Sequence, residues 1–121
     1  MSKTVMIVDD SASLRQVVNM ALRSAGYEVL EACDGRDALN KLTGQRIHLV
    51  ISDVNMPNMD GITFVREMKK LEPYKFTPVI MLTTEAQEGK KQEGQSAGAK
   101  AWVVKPFQPQ QMLSAVAKLI M

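Results

Sequence analysis

The chain has one cysteine, Cys33, and one histidine, His48, among its 121 residues. A lone thiol excludes an intrachain disulfide framework and any CxxC redox or zinc site. Nothing therefore requires an oxidising compartment, and the expected location is the cytoplasm. Aromatics make up only 5% of the residues, and none is interleaved with the lysine pairs Lys69-Lys70 and Lys90-Lys91, so a nucleic-acid groove is not expected. Those pairs read as solvated helix faces. An excess of charge of one sign is also missing, since 15 Lys and Arg stand against 13 Asp and Glu, which announces no polyanionic partner. The N-terminal MSKTVMIVDD turns acidic after an apolar run of strand length. It fits neither a signal peptide nor a membrane span, and no membrane insertion is expected.

What is present is an alternation of short apolar β-branched runs with amphipathic stretches. Residues 4–9 (TVMIVD) read as a buried first strand, followed by a helix from Ser11 or Ser13 to about Gly26, with Leu14, Val17, Val18, Ala21, Leu22 and Ala25 at helical spacing. Residues 27–32 predict a second strand, and Asp34 is placed to cap a helix with Ala38, Leu39 and Leu42 inward and Gly44 closing it. A third strand is expected over 47–53, then the loop VNMPNMDG, then a helix over 61–71 burying Ile62, Phe64, Val65 and Met68 and stopped by Pro73. Residues 77–83 predict a fourth strand with Pro78 near its start. The stretch 86–97 holds two internal glycines and almost no large apolar residue, so only a marginal helix is expected there. A fifth strand over 100–104 and a last helix over 109–120, with Met112, Leu113, Val116 and Ile120 buried, complete the order.

Five β-α units in one domain, residues 1–121, imply an α/β fold with a doubly wound, five-stranded parallel sheet. In such a sheet all strands end on one edge, where α/β domains place their sites. Asp9-Asp10, Asp53, Thr83-Thr84 and Lys105-Pro106 occupy those ends. Converging carboxylates repel unless a cation sits among them, and an oxygen-only set such as Asp10 and Asp53 suits Mg²⁺. Softer metals lack ligands, because no His or Cys lies at a strand end in this reading. Lys105 and the Thr83 hydroxyl suit an anion, and an aspartate can be a nucleophile toward phosphorus, so the site reads as one that forms and breaks an acyl phosphate on Asp53. Each residue also has a plainer reading: Asp9-Asp10 could cap the first helix, Thr83 could be only a strand residue, and Lys105 a surface lysine. Their joint placement favours the site. His48 is read as a strand residue before the functional end, Cys33 as structural, and the nine methionines as core fillers.

The motifs IVDDS, SDVNMPNMDG, TT and WVVKPF, spaced over the whole chain, resemble the receiver domains of bacterial two-component response regulators, of the CheY-like single-domain kind. The resemblance implies a flavodoxin-like sheet in the order 2-1-3-4-5, an order for which CheY is itself the stock example. It implies Asp53 as phospho-acceptor and Mg²⁺ held by Asp10 and Asp53 directly, by Asp9 through water and by the Asn55 carbonyl. Thr83, with Thr84 beside it, and Lys105 would contact the phosphoryl group. Lys105-Pro106 would be a cis peptide. Asn55 and Glu85 would tune hydrolysis, matching the chemotaxis type with its short-lived signal. Trp102 stands where such relatives usually carry a tyrosine that turns inward on activation.

The resemblance further implies a histidine kinase as phosphodonor, a downstream protein such as a flagellar switch as target, a phosphatase, and a monomeric state. With no DNA-binding domain after the receiver, output through protein contact is expected. The alternatives are a phosphate sink or a non-motor adaptor. The domain would not be an enzyme in the ordinary sense, since it catalyses only its own phosphorylation and dephosphorylation. A Mg²⁺ phosphatase using an aspartyl-phosphate would need a second acid where Asn55 stands, and a nucleotide-binding module would need glycines where DDSAS stands.

Overall fold

The computed structural model describes residues 2–84 and 97–120. The strands are β1 (Thr4–Val8), β2 (Glu28–Ala32), β3 (Leu49–Asp53), β4 (Val79–Thr83) and β5 (Ala101–Val104), and the helices α1 (Ala12–Ser24), α2 (Gly35–Lys41), α3 (Gly61–Lys69) and α4 (Pro109–Leu119). All strand pairs are parallel, in the order β2-β1-β3-β4-β5. β3 and β4 are buried at every position, which explains their unbroken apolar sequences. The helix expected over residues 86–97 lies, Ala97 apart, outside the described residues.

Side-chain alternation splits the core into two halves. On one face Met6, Val50, Val79 and Met81 meet Ala38 of α2 and Phe64, Val65 and Met68 of α3. On the other, Val5, Ile7, Ile51, Ile80 and Leu82 meet Val18 and Leu22 of α1 and Met112 and Val116 of α4. The four inward residues expected of α3 are all buried. In α1 only Val18 and Leu22 are, while Val17 is 50% exposed and Ala25, the cap that follows the helix, is exposed. The apolar stripe of α1 is wider than the strip of sheet available to cover it. In α4 Leu113 and Ile120 are only half-buried, for the same reason.

Caps set the helix starts, at Ser11 and Asp34 as the sequence suggested and at Asp60, which it did not single out. Ser11 accepts from the Leu14 amide at 3.2 Å, Asp34 from Asp37 at 2.7 Å and Asp60 from Thr63 at 2.8 Å. The strands are shorter than expected, mostly at their starts. His48 stands before β3 and not within it: its amide donates to the Thr4 carbonyl at 2.8 Å, and its Nδ1 accepts the Thr4 amide at 3.0 Å. Burial, then the charges of Arg46 and Lys3, hold that imidazole below its usual pKa, as befits an acceptor.

An unexpected 3₁₀ turn, Glu72–Tyr74, follows α3 and carries Pro73. It buries Tyr74, whose hydroxyl donates to the Gln45 carbonyl at 2.8 Å and accepts the Gly44 amide at 3.0 Å. Lys69 also departs from expectation. Its ammonium donates to the Thr77 carbonyl and its stem lies against Gly98, so it braces α3 to the sheet, whereas Lys70 is the solvated partner of Glu67. Met6, Met68, Met81 and Met112 are buried as core fillers, but Met20 is 64% exposed.

Candidate functional site

The site forms because β1, β3 and β4 run parallel and end together. Val8 pairs with Ser52 and Asp53 with Leu82, so Asp9, one residue beyond β1, comes level with Asp53. Asp9 is 0% and Asp53 6% exposed; Asp10, the next residue, faces solvent. One carboxylate oxygen from each of the three lies within 4.8 Å of the others. Lys105, just after β5, places its Nζ 3.2 Å from Asp9 Oδ2 and 3.2 Å from Asp53 Oδ2. The other oxygens are held by backbone: Asp9 Oδ1 by the Ser11 amide and Asp53 Oδ1 by the Val54 amide, each at 2.8 Å.

These contacts decide the electrostatics. Burial, then the negative charge of Asp9, pushes the Asp53 carboxyl above its ordinary pKa, and Lys105 only partly opposes this. Burial pulls the Lys105 ammonium down, but Asp53 and Asp9 outweigh it and leave its pKa raised. With Asp10 included, three acids face one lysine. The donor set is all oxygen, and among the described residues no His or Cys joins it. That chemistry suits a hard divalent cation of the Mg²⁺ kind, which takes one or two carboxylates and keeps several waters.

Thr83 ends β4, 3% exposed, and its carbonyl accepts the Lys105 amide at 2.6 Å. By strand alternation Thr83 shares a face with Met81 and with Trp102 of β5, which pairs with Met81. Trp102 is half-buried against that core, and no hydrogen-bond acceptor meets its buried Nε1 among the described residues. Thr84 and Asn55 are exposed, and the Lys105-Pro106 peptide is cis. Glu85 lies outside the described residues. Cys33 ends up exposed, so its reading as a core filler is corrected: the thiol fills no core but donates to Asp34 Oδ2 at 4.0 Å, and its amide donates to Asp37 at 3.0 Å.

With the geometry in place, comparison with known proteins decides the family: the model of the response regulator receiver domain matches residues 5–117. The chain belongs to this family. Receiver domains take a phosphoryl group from histidine kinases and act on downstream targets. This receiver is 38% identical over 120 residues to the chemotaxis protein CheY of Thermotoga maritima, covering 98% of each chain. It is 34% identical to the phosphate regulon transcriptional regulatory protein PhoB of Pseudomonas aeruginosa, covering 98% of this chain and 52% of that one. Among solved structures it superposes on the chemotaxis response regulator CheY4 of Vibrio cholerae with TM-score 0.93 and 48% identity, over 99% and 100% of the two chains. It also matches the receiver domain of the sensor histidine kinase PA1611 of Pseudomonas aeruginosa, described with a magnesium ion in its active site cleft, with TM-score 0.89, 27% identity and 98% coverage of both.

Two contributors to the receiver's site escaped sequence reasoning. A Cβ on Gly61 would lie 1.9 Å from the Asp53 carbonyl oxygen, so only glycine lets α3 start directly behind the acceptor. A Cβ on Gly35 would likewise lie 2.8 Å from the Met59 carbonyl oxygen, which accepts the Gly35 amide at 3.2 Å, while Asn58 donates to Asp34 at 2.8 Å; together they pin the loop after β3 to α2. Asp34 was legible as a cap and Gly61 as the start of a helix, but neither reading signalled this close approach.

Proposed function

We propose that this receiver is a phospho-accepting switch in which Asp53 takes the phosphoryl group. The observation that carries the reading is the convergence of Asp9, Asp10 and Asp53 within 4.8 Å, with Lys105 3.2 Å from the two buried acids. One Asp53 carboxylate oxygen bonds to phosphorus as the P–N bond to the donor histidine breaks, and the departing imidazole takes its proton from solvent. Mg²⁺ would be held by Asp10 and Asp53 directly, Asp9 through water and the Asn55 carbonyl, and it supplies neutralisation of the phosphoryl oxygens. Lys105 supplies a further positive charge and Thr83 a hydroxyl donor on the side toward Trp102. Water then attacks phosphorus, releasing phosphate and restoring the carboxylate, with Asn55 and Glu85 tuning the rate. The domain thus catalyses its own modification and no other turnover.

The output face would comprise the stretch 86–97, β5 with Trp102, and α4, responding to Thr83 as it engages the phosphoryl group. Two relatives named as chemotaxis proteins support a chemotaxis pathway in the cytoplasm, with a histidine kinase upstream, a phosphatase, and a flagellar switch or a non-motor protein as target. Service as a phosphate sink is the other output. Incubation with acetyl phosphate, with and without Mg²⁺, followed by intact mass, tests the core of the reading. One phosphoryl group should appear only with Mg²⁺ and not on Asp53→Asn. No uptake by the wild type, or equal uptake by Asp53→Asn, would sink it. A pull-down of the phosphorylated form against the flagellar switch protein separates the motor from other targets.

A further inference from the structure

The acidic cluster depends on how the Asp9-Asp10 peptide is turned, because Asp9 points inward to Lys105 while Asp10 reaches the same cluster from solvent. Asp9 lies past the last β1 ladder pair, so among the described residues its carbonyl has no strand partner. That acceptor is taken by Arg15, on the first turn of α1, whose Nη1 donates to it at 2.5 Å. The same guanidinium, mostly buried, donates through Nε to Glu31 Oε1 of β2 at 3.0 Å. Glu31 is held from two more sides. Asn19 Nδ2 donates to its Oε2 at 2.6 Å, and the Lys41 ammonium of α2 donates to its carbonyl at 2.6 Å. Asn19 is in turn fixed by Arg23 Nε, which donates to its Oδ1 at 2.7 Å.

We infer that Arg15 is a positioning residue for the acidic site: it clamps the Asp9 carbonyl against Glu31 and so sets the peptide that aims Asp9 and Asp10 at one cation. Fork geometry matters here. A guanidinium presents Nε and Nη donors in a fixed plane to two acceptors on different elements, which a lysine point charge does not reproduce. Groups that orient metal ligands in this way typically change metal affinity about 10- to 100-fold when removed. The sign of the effect separates positioning from simple charge. Arg15→Met deletes a positive charge near three carboxylates, and electrostatics alone would then tighten cation binding. Positioning requires the reverse.

The inference rests on the reading of Asp9, Asp10 and Asp53 as a Mg²⁺ site. Its test is calorimetric titration of Mg²⁺ into the full chain, wild type beside Arg15→Met, Arg15→Lys and Glu31→Gln, with amide proton–nitrogen shifts recorded without metal. The expected result is about tenfold weaker Mg²⁺ binding in Arg15→Met, partial recovery in Arg15→Lys and an intermediate loss in Glu31→Gln. The metal-free Asp10 and Ser11 amides should shift in Arg15→Met. Equal or tighter binding in Arg15→Met overturns the inference while leaving the metal site intact. A wild type that binds no Mg²⁺ overturns the metal reading, and unmoved Asp10 and Ser11 amides then overturn this one as well. Should Arg15→Met fail to fold, Arg15→Lys decides by the same two measurements, since it keeps the charge and lacks the fork. Mg²⁺ binding weaker than wild type with shifted Asp10 and Ser11 amides supports the inference, and wild-type binding overturns it.

Discussion

Gly61→Ala is the sharpest perturbation available at the acceptor. The added Cβ would meet the Asp53 carbonyl oxygen at 1.9 Å, its carbon at 2.9 Å and Met81 Cε at 3.0 Å. Bringing the first contact out to a tolerable 3.0 Å demands a displacement of about 1.1 Å. Neither side can yield cheaply, since one atom belongs to the buried end of β3 and the other to the backbone of α3. Overpacking of this kind costs about 1–3 kcal/mol. The Gly61 amide also donates to the Val54 carbonyl at 2.8 Å, and straining that bond adds about 1 kcal/mol. Alanine's better helix propensity returns up to about 1 kcal/mol. The expected net loss is therefore about 1–4 kcal/mol by urea denaturation followed through Trp102 fluorescence and far-UV circular dichroism. Phosphoryl uptake from acetyl phosphate by the folded fraction should also slow by a factor on the order of 10 or more, because an ångström of misplacement is costly in a positioned reaction. Gly26→Ala is the control: φ is +95° there, but nothing lies within 4 Å of a Cβ, so it should cost about 1–2 kcal/mol and leave uptake unchanged. A Gly61→Ala protein within 0.5 kcal/mol of wild type and phosphorylated at the normal rate would refute the close-approach argument.

Lys105→Met leaves Asp9 and Asp53 without their cation, so Mg²⁺ should bind roughly fivefold or more tightly while phosphoryl uptake falls, as read by calorimetry and mass. Asp34→Ala removes the α2 cap and should cost about 1 kcal/mol at pH 7. The Asp37 amide, then the Asn58 side chain, hold the Asp34 carboxyl below its reference 3.8, so its stabilisation is present above that value and lost as pH falls through the lower folded pKa. Wild type and Asp34→Ala should accordingly converge in stability on acidification; a gap that stays constant to low pH would contradict this assignment. Tyr74→Phe leaves the Gln45 carbonyl and Gly44 amide without their partner and should cost about 1–2 kcal/mol, a fall of roughly 3–10 °C in thermal midpoint.

Much of the fold was legible in the chain because local chemistry and burial repeat at the period of the element. The apolar β-branched runs within the expected 4–9, 47–53 and 77–83 read as buried strands, and Ser11 and Asp34 as caps because a helical pattern follows each. The acids, threonines and lysine were legible as a site because parallel strands must end on one edge. Element starts were less legible. His48 has the side chain of a strand residue, yet its ring ties off the sheet's margin, a role that depends on Thr4, 44 residues away in sequence. Val17 satisfies helical spacing, but spacing does not say how far the sheet extends beneath α1.

The sequence by itself therefore determined most element types, the parallel sense of the strands and which acids could meet, since these follow from periodicity and from the polarity each residue carries, while the strand order was implied by the family resemblance. Only the tertiary structure decided how they meet. The 1.9 Å approach that reserves position 61 for glycine, the clamp of Arg15 on the Asp9 carbonyl, and the sharing of Lys105 between Asp9 and Asp53 all join residues distant along the chain. Such contacts depend on three-dimensional distances that no local pattern encodes, and the same fold buries Asp53 beside Asp9, which raises its pKa against the opposing charge of Lys105.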